Sequence, residues 1–576
     1  MAVSEIGIES EPGRLDAEVA AEALEPEAGM LADADPIGFA DAMADLGRAF
    51  SRDPSSLASI AMRTGADLGL AGVATALRAF GLPAEPQIRA ERRDRRFADA
   101  AWDRDPWFFG LQQSYLLWSR SMLELVGAAR LDGPEKLKAG FAMQVLVDAL
   151  APTNVLAGNP AALRRAVETG GLSVLRGLRN MADDVLHNGG RPRQVDTSSF
   201  EVGRNLAVTP AKVVFRNHLM ELLQYEPQTE QVHATPLLAS PPWINKYYVM
   251  DLAPGRSFIE WAVQHGRTVF AISYINPTAD MASTTMDDYL IHGPQTALDV
   301  ISDITGAETI DIVGLCLGGA LTAVTAAYLQ QAGDSRVGAL TLINTMLDYA
   351  EPGALGTFTD LATVEKLERK MRREGTLEGA SMAGTFDILR ANDLIFNYVV
   401  SNWLMGQKPP AFDILAWNAD STRMPAAMHA FYLRNFYIEN KPAKGTLEIA
   451  GRTVDLGVIK SPTYIVSAIN DHIVPWETAY KSVGLVSGPA RFVLGSGGHI
   501  AGIVAPPGPK VWHMTGAENV ATAKEWREGA ERVPGSWWED WATWSAEHSG
   551  EMVDPPRLGS DAHPVLGDGP GEYVRT

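Results

Sequence analysis

Cysteine is nearly missing from this chain: the 576 residues hold one, Cys316. That excludes a disulfide within the chain and any cysteine-cluster metal site. Long apolar runs are missing too, and each uninterrupted one falls well short of the ~20 residues a membrane span needs. Positive charge is scarce. Against 70 Asp and Glu stand 49 Lys and Arg, and the formal net charge of −21 argues against nucleic acid and against attachment to anionic membrane. There is no P-loop, no dinucleotide fingerprint, no His-Glu-x-x-His metal motif and no internal repeat, so neither a metal nor a bound cofactor is expected. No signal-peptide pattern opens the chain. With 21% charged and 46% hydrophobic residues, the composition is that of a soluble globular protein, expected in the cytoplasm.

The single cysteine lies in Gly314-Leu315-Cys316-Leu317-Gly318-Gly319. Before it, Thr309–Val313 is a β-branched stretch that reads as a buried strand; after it, Ala320–Leu329 reads as a helix. A lone cysteine is usually a small buried hydrophobe, and glycines at ±2 recur by chance. Strand, Gly-x-Cys-x-Gly, then helix is nevertheless the nucleophile elbow of the α/β-hydrolase fold, with Cys in the Ser position. The glycines serve a turn so tight that neighbouring Cβ atoms would clash. The helix N-terminus behind the sulfur favours a thiolate.

In that fold the acid and the histidine follow the nucleophile in chain order. Ser461–Ala468 reads as a strand, and Asp471 sits in the loop at its C-terminal end, where open α/β sheets build their sites. A short strand, Arg491–Leu494, leads to Gly495-Ser496-Gly497-Gly498-His499-Ile500. Of the 11 histidines, His499 alone occupies a glycine-rich loop after the last expected strand. His472, beside Asp471, reads as site wall and not as the base. The backbone N–H of Leu317 is expected to form half of an oxyanion hole. The other half falls to the loop after the Pro236–Ala239 strand, where Trp243 or Ile244 would donate.

Three regions are expected: a mobile acidic leader over 1–35, a helical N-terminal domain over 36–200, and an α/β-hydrolase domain over 201–576. In the last, strands expected at Lys212–Arg216, Pro236–Ala239, Thr268–Ile272 and Gly338–Asn344 alternate with helices, which argues for a mostly parallel sheet. The ~120 residues between Asn344 and the next strand far exceed an ordinary connection, so a cap insertion is expected at about 345–460. Its Phe396, Tyr398, Trp403, Met405, Phe412 and Trp417 suit either a cap core or an apolar tunnel over Cys316.

Taken together, the Cys316 hexapeptide, Asn470-Asp471-His472-Ile473-Val474-Pro475-Trp476 and Gly497-Gly498-His499-Ile500-Ala501-Gly502 resemble the polyhydroxyalkanoate synthases. Pro241–Tyr248, Phe412–Asp420, Gly535-Ser536-Trp537-Trp538 and, near the N-terminus, Asp94-Arg95-Arg96-Phe97 with Trp102 and Pro106-Trp107-Phe108 resemble further stretches of that family. The likeness covers roughly residues 90–576 and is of the class I, single-subunit type.

It implies an acyltransferase that takes (R)-3-hydroxyacyl-CoA, 3-hydroxybutyryl-CoA first, into polyester with release of CoA. CoA is then part of the substrate, and no cofactor is implied. Cys316, Asp471 and His499 would be the triad, with Trp417 and His472 along the substrate channel. The resemblance also implies a homodimer, and an enzyme that becomes associated with polyester granules. An anionic CoA substrate sits awkwardly with −21, so local Arg and Lys are expected at the channel mouth. One cysteine forbids passing a chain between two thiols within one subunit. A noncovalent CoA-bound intermediate is favoured over two subunits sharing their sulfurs. A thioesterase or intracellular depolymerase on the same scaffold remains the alternative, and a non-catalytic granule coat would not need a triad.

Overall fold

The computed structural model describes residues 38–92, 94–379, 388, 390–518 and 520–576; the leader expected over 1–35 lies outside them. The described chain divides into two compact units. One holds residues up to Asp196 together with a later segment ending at Pro410; the other holds Thr197 onward and, after that segment, Ala411–Thr576.

The first unit is helical: α1 (Phe39–Arg52), α2 (Pro54–Ala79), α3 (Pro106–Ala128), α4 (Gly133–Ala149), α5 (Pro160–Glu168) and α6 (Leu172–His187). Three of these begin alike. Asp53, Asp105 and Asn159 each precede a proline and accept a hydrogen bond from a first-turn N–H. The side chain satisfies an orphan donor, and proline presets φ where its missing N–H costs nothing. The core gathers Trp102 against Phe97 and Phe108, at ring separations of 4.9 and 5.5 Å. Leu150, which caps the C-terminal end of α4, is exposed.

The later segment was expected within the cap, yet it packs on α6. The Trp403 indole donates to Asp184 at 2.8 Å, and the Asn180 amide donates to the Asn402 and Gln407 carbonyls. A Cβ on Gly177 would strike the Trp403 carbonyl. Phe396, Tyr398, Trp403 and Met405 therefore belong to the helical unit.

The second unit is built on an eleven-stranded sheet: β1 (Ala211–Arg216), β2 (Met220–Tyr225), β3 (Leu237–Ser240), β4 (Val269–Tyr274), β5 (Ile310–Leu315), β6 (Val337–Ile343), β7 (Thr463–Ala468), β8 (Ala490–Gly495), β9 (Trp512–Thr515), β10 (Glu531–Pro534) and β11 (Gly567–Asp568). Their order is β10-β9-β8-β7-β6-β5-β3-β4-β2-β1-β11. The six central strands, β4 to β8 with β3, are parallel. Pairing is antiparallel on both flanks. Strand β5 is buried along its whole length, as expected of an apolar strand covered on both faces.

Two antiparallel strands, β9 and β10, follow the histidine loop, so β8 is not the last strand. The proline-rich end of the chain supplies β11, which pairs with β1. Five helices bear on the site: α7 (Met286–Leu290), α8 (Leu317–Gln331), α9 (Ala426–Tyr432), α10 (His499–Ile503) and α11 (Trp537–His548). Helices α7 and α9 pack on one another. Among the described residues no helix is long and apolar enough to cross a membrane.

Candidate active site

Strand β5 ends at Leu315 and α8 begins at Leu317, so Cys316 is the whole turn. Its φ of 56° and ψ of −117° hold a side-chain-bearing residue where few are tolerated, a strain of about 1–3 kcal/mol. Its surroundings fix that conformation. The Cys316 N–H donates to the Ile343 carbonyl at 2.8 Å, and the Thr345 hydroxyl donates to the Cys316 carbonyl at 3.3 Å. A Cβ on Gly314 would come within 2.5 Å of Gly319, and one on Gly318 would run into the Ser240 and Pro241 carbonyls. Glycine is thus required by close approach on both sides of the sulfur. As the first helical residue, Leu317 has an N–H with no acceptor one turn earlier in its own helix.

Asp471 lies three residues past β7 and is closed into a tight turn. Its Oδ1 accepts from the N–H groups of Ile473 and Val474 at 3.0 and 2.9 Å. Its Oδ2 lies 2.6 Å from His499 Nδ1. Both side chains are fully buried. A buried carboxylate on Nδ1 fixes the Nδ1–H tautomer and leaves Nε2 as the basic nitrogen. His499 heads the short helix α10, although the glycines before it read as loop. Gly497, at φ 101°, makes the turn into that helix. Cys316, His499 and Asp471 are 2%, 1% and 6% exposed.

Two supports of the site have contacts that the sequence alone does not show. Asn344, directly after β6 with φ 44°, donates its N–H to Val466 of β7 at 2.8 Å and its amide to the His499 carbonyl at 2.6 Å. The end of β6 therefore braces the Cys316 backbone through Ile343 and the His499 backbone through Asn344. The second support is α11. The indole N–H groups of Trp537 and Trp538 donate to the carbonyls of Gly502 and Ile503 at 2.7 and 3.0 Å, and the Ser536 hydroxyl donates to Ala505. Gly535-Ser536-Trp537-Trp538 thus clamps the helix that carries His499.

The loop after β3 presses its Ser240 and Pro241 carbonyls toward Gly318 and carries Trp243 and Ile244, both buried. Trp417 is fully buried, and its indole donates to the Lys246 carbonyl at 2.9 Å, so it braces that same loop. His472 is half-buried, and its carbonyl packs on Gly353. A cavity of 610 Å³ opens against the triad loops at Ile469, Asn470, Ser496 and Gly497, with Arg256 and Lys510 on its wall. Arg256 is paired with Asp413 at 2.5 Å.

An elbow nucleophile on the central strand, with an acid–histidine pair on the next loops, defines an α/β-hydrolase-type protein with cysteine as the candidate nucleophile. Residues 234–506 match the family model described as alpha/beta hydrolase fold. Residues 93–262 match that of the poly-beta-hydroxybutyrate polymerase (PhaC) N-terminus. The chain is 41% identical over 529 residues to the poly(3-hydroxyalkanoate) polymerase of Methylorubrum extorquens, covering 91% of this chain and 87% of that one. It is 41% identical to poly(3-hydroxyalkanoate) polymerase subunit PhaC of Cupriavidus necator, over 84% and 83% of the two chains, and 40% to that of Rhizobium meliloti, over 87% and 82%. The chain belongs to the poly(3-hydroxyalkanoate) polymerase family, acyltransferases on the α/β-hydrolase fold.

Proposed function

We propose that the protein is a polyhydroxyalkanoate synthase that joins (R)-3-hydroxyacyl units from CoA thioesters, 3-hydroxybutyryl-CoA first, and releases CoA. One observation carries this reading: the lone cysteine occupies the strained elbow, and a buried Asp471–His499 pair is braced from the same strand end. His499 Nε2 takes the thiol proton as Sγ attacks the thioester carbonyl. The oxyanion is received by the Leu317 N–H and by that of Trp243 or Ile244. Collapse breaks the C–S bond to CoA, which leaves with the proton from His499.

For growth, the hydroxyl of a second hydroxyacyl-CoA attacks the Cys316-bound acyl group. An ester C–O bond forms, the Cys316 C–S bond breaks, and the hydroxyl proton passes through His499 to the sulfur. The lengthened chain, held as a CoA thioester, then reloads Cys316. This sequence needs one cysteine and no cofactor. Asp471 has one oxygen on two backbone N–H groups and the other on His499, which supports an orienting role with His499 as the base. Burial of all three groups favours a hydroxyl over water at the acyl-enzyme.

The product is insoluble, so we place the enzyme in the cytoplasm and then at the polyester granule, working as a homodimer. The test is purified protein with 3-hydroxybutyryl-CoA, following free CoA and turbidity together, with Cys316→Ala as control. CoA release with rising turbidity, both abolished in the variant, is expected. CoA release with free 3-hydroxybutyrate and no polymer would make the protein a thioesterase.

A further inference from the structure

Among the side chains of the second unit that bury a polar atom with no hydrogen-bond partner among the described residues are four ring-bearing ones that lie side by side: Trp243 through Nε1, Tyr274 and Tyr289 through Oη, and His429 through both ring nitrogens. Leaving such a group dry typically costs about 1–3 kcal/mol, and here they belong to one continuous aromatic layer. Tyr274 and Tyr289 are 5.2 Å apart by ring centroid, Tyr289 and Trp243 6.1 Å, Trp243 and Tyr432 5.6 Å, and Tyr432 and His429 6.2 Å. Tyr432 continues the layer to Tyr349, at 6.2 Å.

Topology places this layer over the nucleophile. Tyr274 ends β4, Trp243 follows β3 and Tyr349 follows β6. Strands β3 and β6 flank β5, so a layer joining their C-terminal ends passes across the end of β5, where Cys316 stands.

The chemistry of the unpartnered atoms narrows the ligand. An indole N–H can only donate, a phenol donates readily, and a neutral imidazole has one donor and one acceptor. His429 is kept neutral, its pKa pushed down to about 3 by burial. A layer rich in donors between apolar rings suits a ligand that is apolar along its length and carries regularly spaced acceptors. A polyester chain is that ligand: each unit offers a carbonyl oxygen and no donor, except at the terminal hydroxyl.

We propose that His429 and Tyr289, with Tyr274 and Trp243, form the subsite that holds the first ester carbonyls of the growing chain. The layer is closed in this structure, and entry of the chain gives its orphan donors their acceptors. This rests on the polymerase reading.

The test uses the full-length protein, wild type beside His429→Phe and Tyr289→Phe. Three quantities are read: Tm, the initial burst of CoA per Cys316, and elongation with the mass of the polymer. Each variant removes a polar group that lacks a partner in the unliganded protein, so Tm is expected to hold or rise. Elongation is expected to fall about tenfold, more than the burst, with shorter polymer, as for loss of one good hydrogen bond. Unchanged elongation and polymer mass in both variants would overturn the subsite. A drop in Tm with burst and elongation falling equally would overturn it too, showing a structural role instead. If His429→Phe does not fold, Tyr289→Phe, which loses one oxygen, decides alone. Wild-type protein that gives a burst and no polymer would fail the polymerase reading itself, which the same series separates from failure of the subsite.

Discussion

Asp471 has both oxygens engaged, and the two engagements respond differently to Asp471→Asn. An asparagine Oδ1 still accepts from Ile473 and Val474, so the turn survives. Its amide, however, faces His499 Nδ1 with a donor and forces the other tautomer. The expected result is a fall in kcat of about 10⁴ with Tm nearly unchanged, read by CoA release and thermal unfolding. Asp251 gives a pH signature of another kind. It accepts from Ser257 and Tyr225 at 2.8 and 3.1 Å and from Thr209 at 2.5 Å, yet burial raises its pKa to about 7. An unfolded Asp titrates near 3.9, so the folded state holds the proton longer. That contribution is fully present below about pH 4 and is lost as pH rises through about 7. Asp251→Asn lacks this loss. Its Tm relative to wild type is therefore expected to climb between pH 5 and 8; a difference flat with pH would mean that Asp251 titrates normally.

At the scale of elements, α11 holds the histidine helix through two indoles. Trp537→Phe keeps an aromatic ring beside Phe258, 5.4 Å away by centroid, but leaves the Gly502 carbonyl without its donor. Tm is expected to fall by a few degrees, and kcat/KM to drop about tenfold as His499 loses its placement. Equal loss of activity and of folded protein would remove the positioning role. The tryptophans were visible in the sequence as a stretch, but their hydrogen bonds to carbonyls 35 residues away were not. The same divide runs through the fold. The parallel strands β3 to β8 were legible because a short apolar run between turn residues is a local signal, and the elbow because its glycines flank a strand and a helix. Strand β2 was missed, since Met220–Tyr225 has a mixed composition and is a strand only by pairing with β1 and β4. The segment from 390 to 410 has a helical, aromatic pattern, and nothing local in it specifies α6 as its neighbour. By sequence Asn344 is the last residue of the Gly338–Asn344 strand. Its positive φ and its reach to His499 come from long-range packing.

For the whole molecule the decisive quantity is the charge of −21 against the proposed substrate, which would carry the phosphates of CoA. At 0.01 M ionic strength the Debye length is about 30 Å and an approaching CoA thioester feels much of that charge; at 0.15 M it is about 8 Å and only local groups count. The local groups near the triad loops differ in sign from the whole. Lys510 is exposed on the wall of the cavity beside Asn470 and Ser496, while Arg256 there is already matched by Asp413. Added salt should therefore screen a long-range repulsion more than a short-range attraction. On the CoA-thioester reading, KM for 3-hydroxybutyryl-CoA is expected to fall several-fold from 0.01 to 0.15 M salt. The kcat should stay constant, because the Asp471–His499 pair is buried and poorly screened. Lys510→Glu removes the local cation and should raise KM at both salt concentrations, with the larger increase at low salt. Initial CoA release at fixed pH, across substrate concentration, reads both constants. A KM that rises with salt would mean that cations at the entrance outweigh the net charge, and the steering field would then be local.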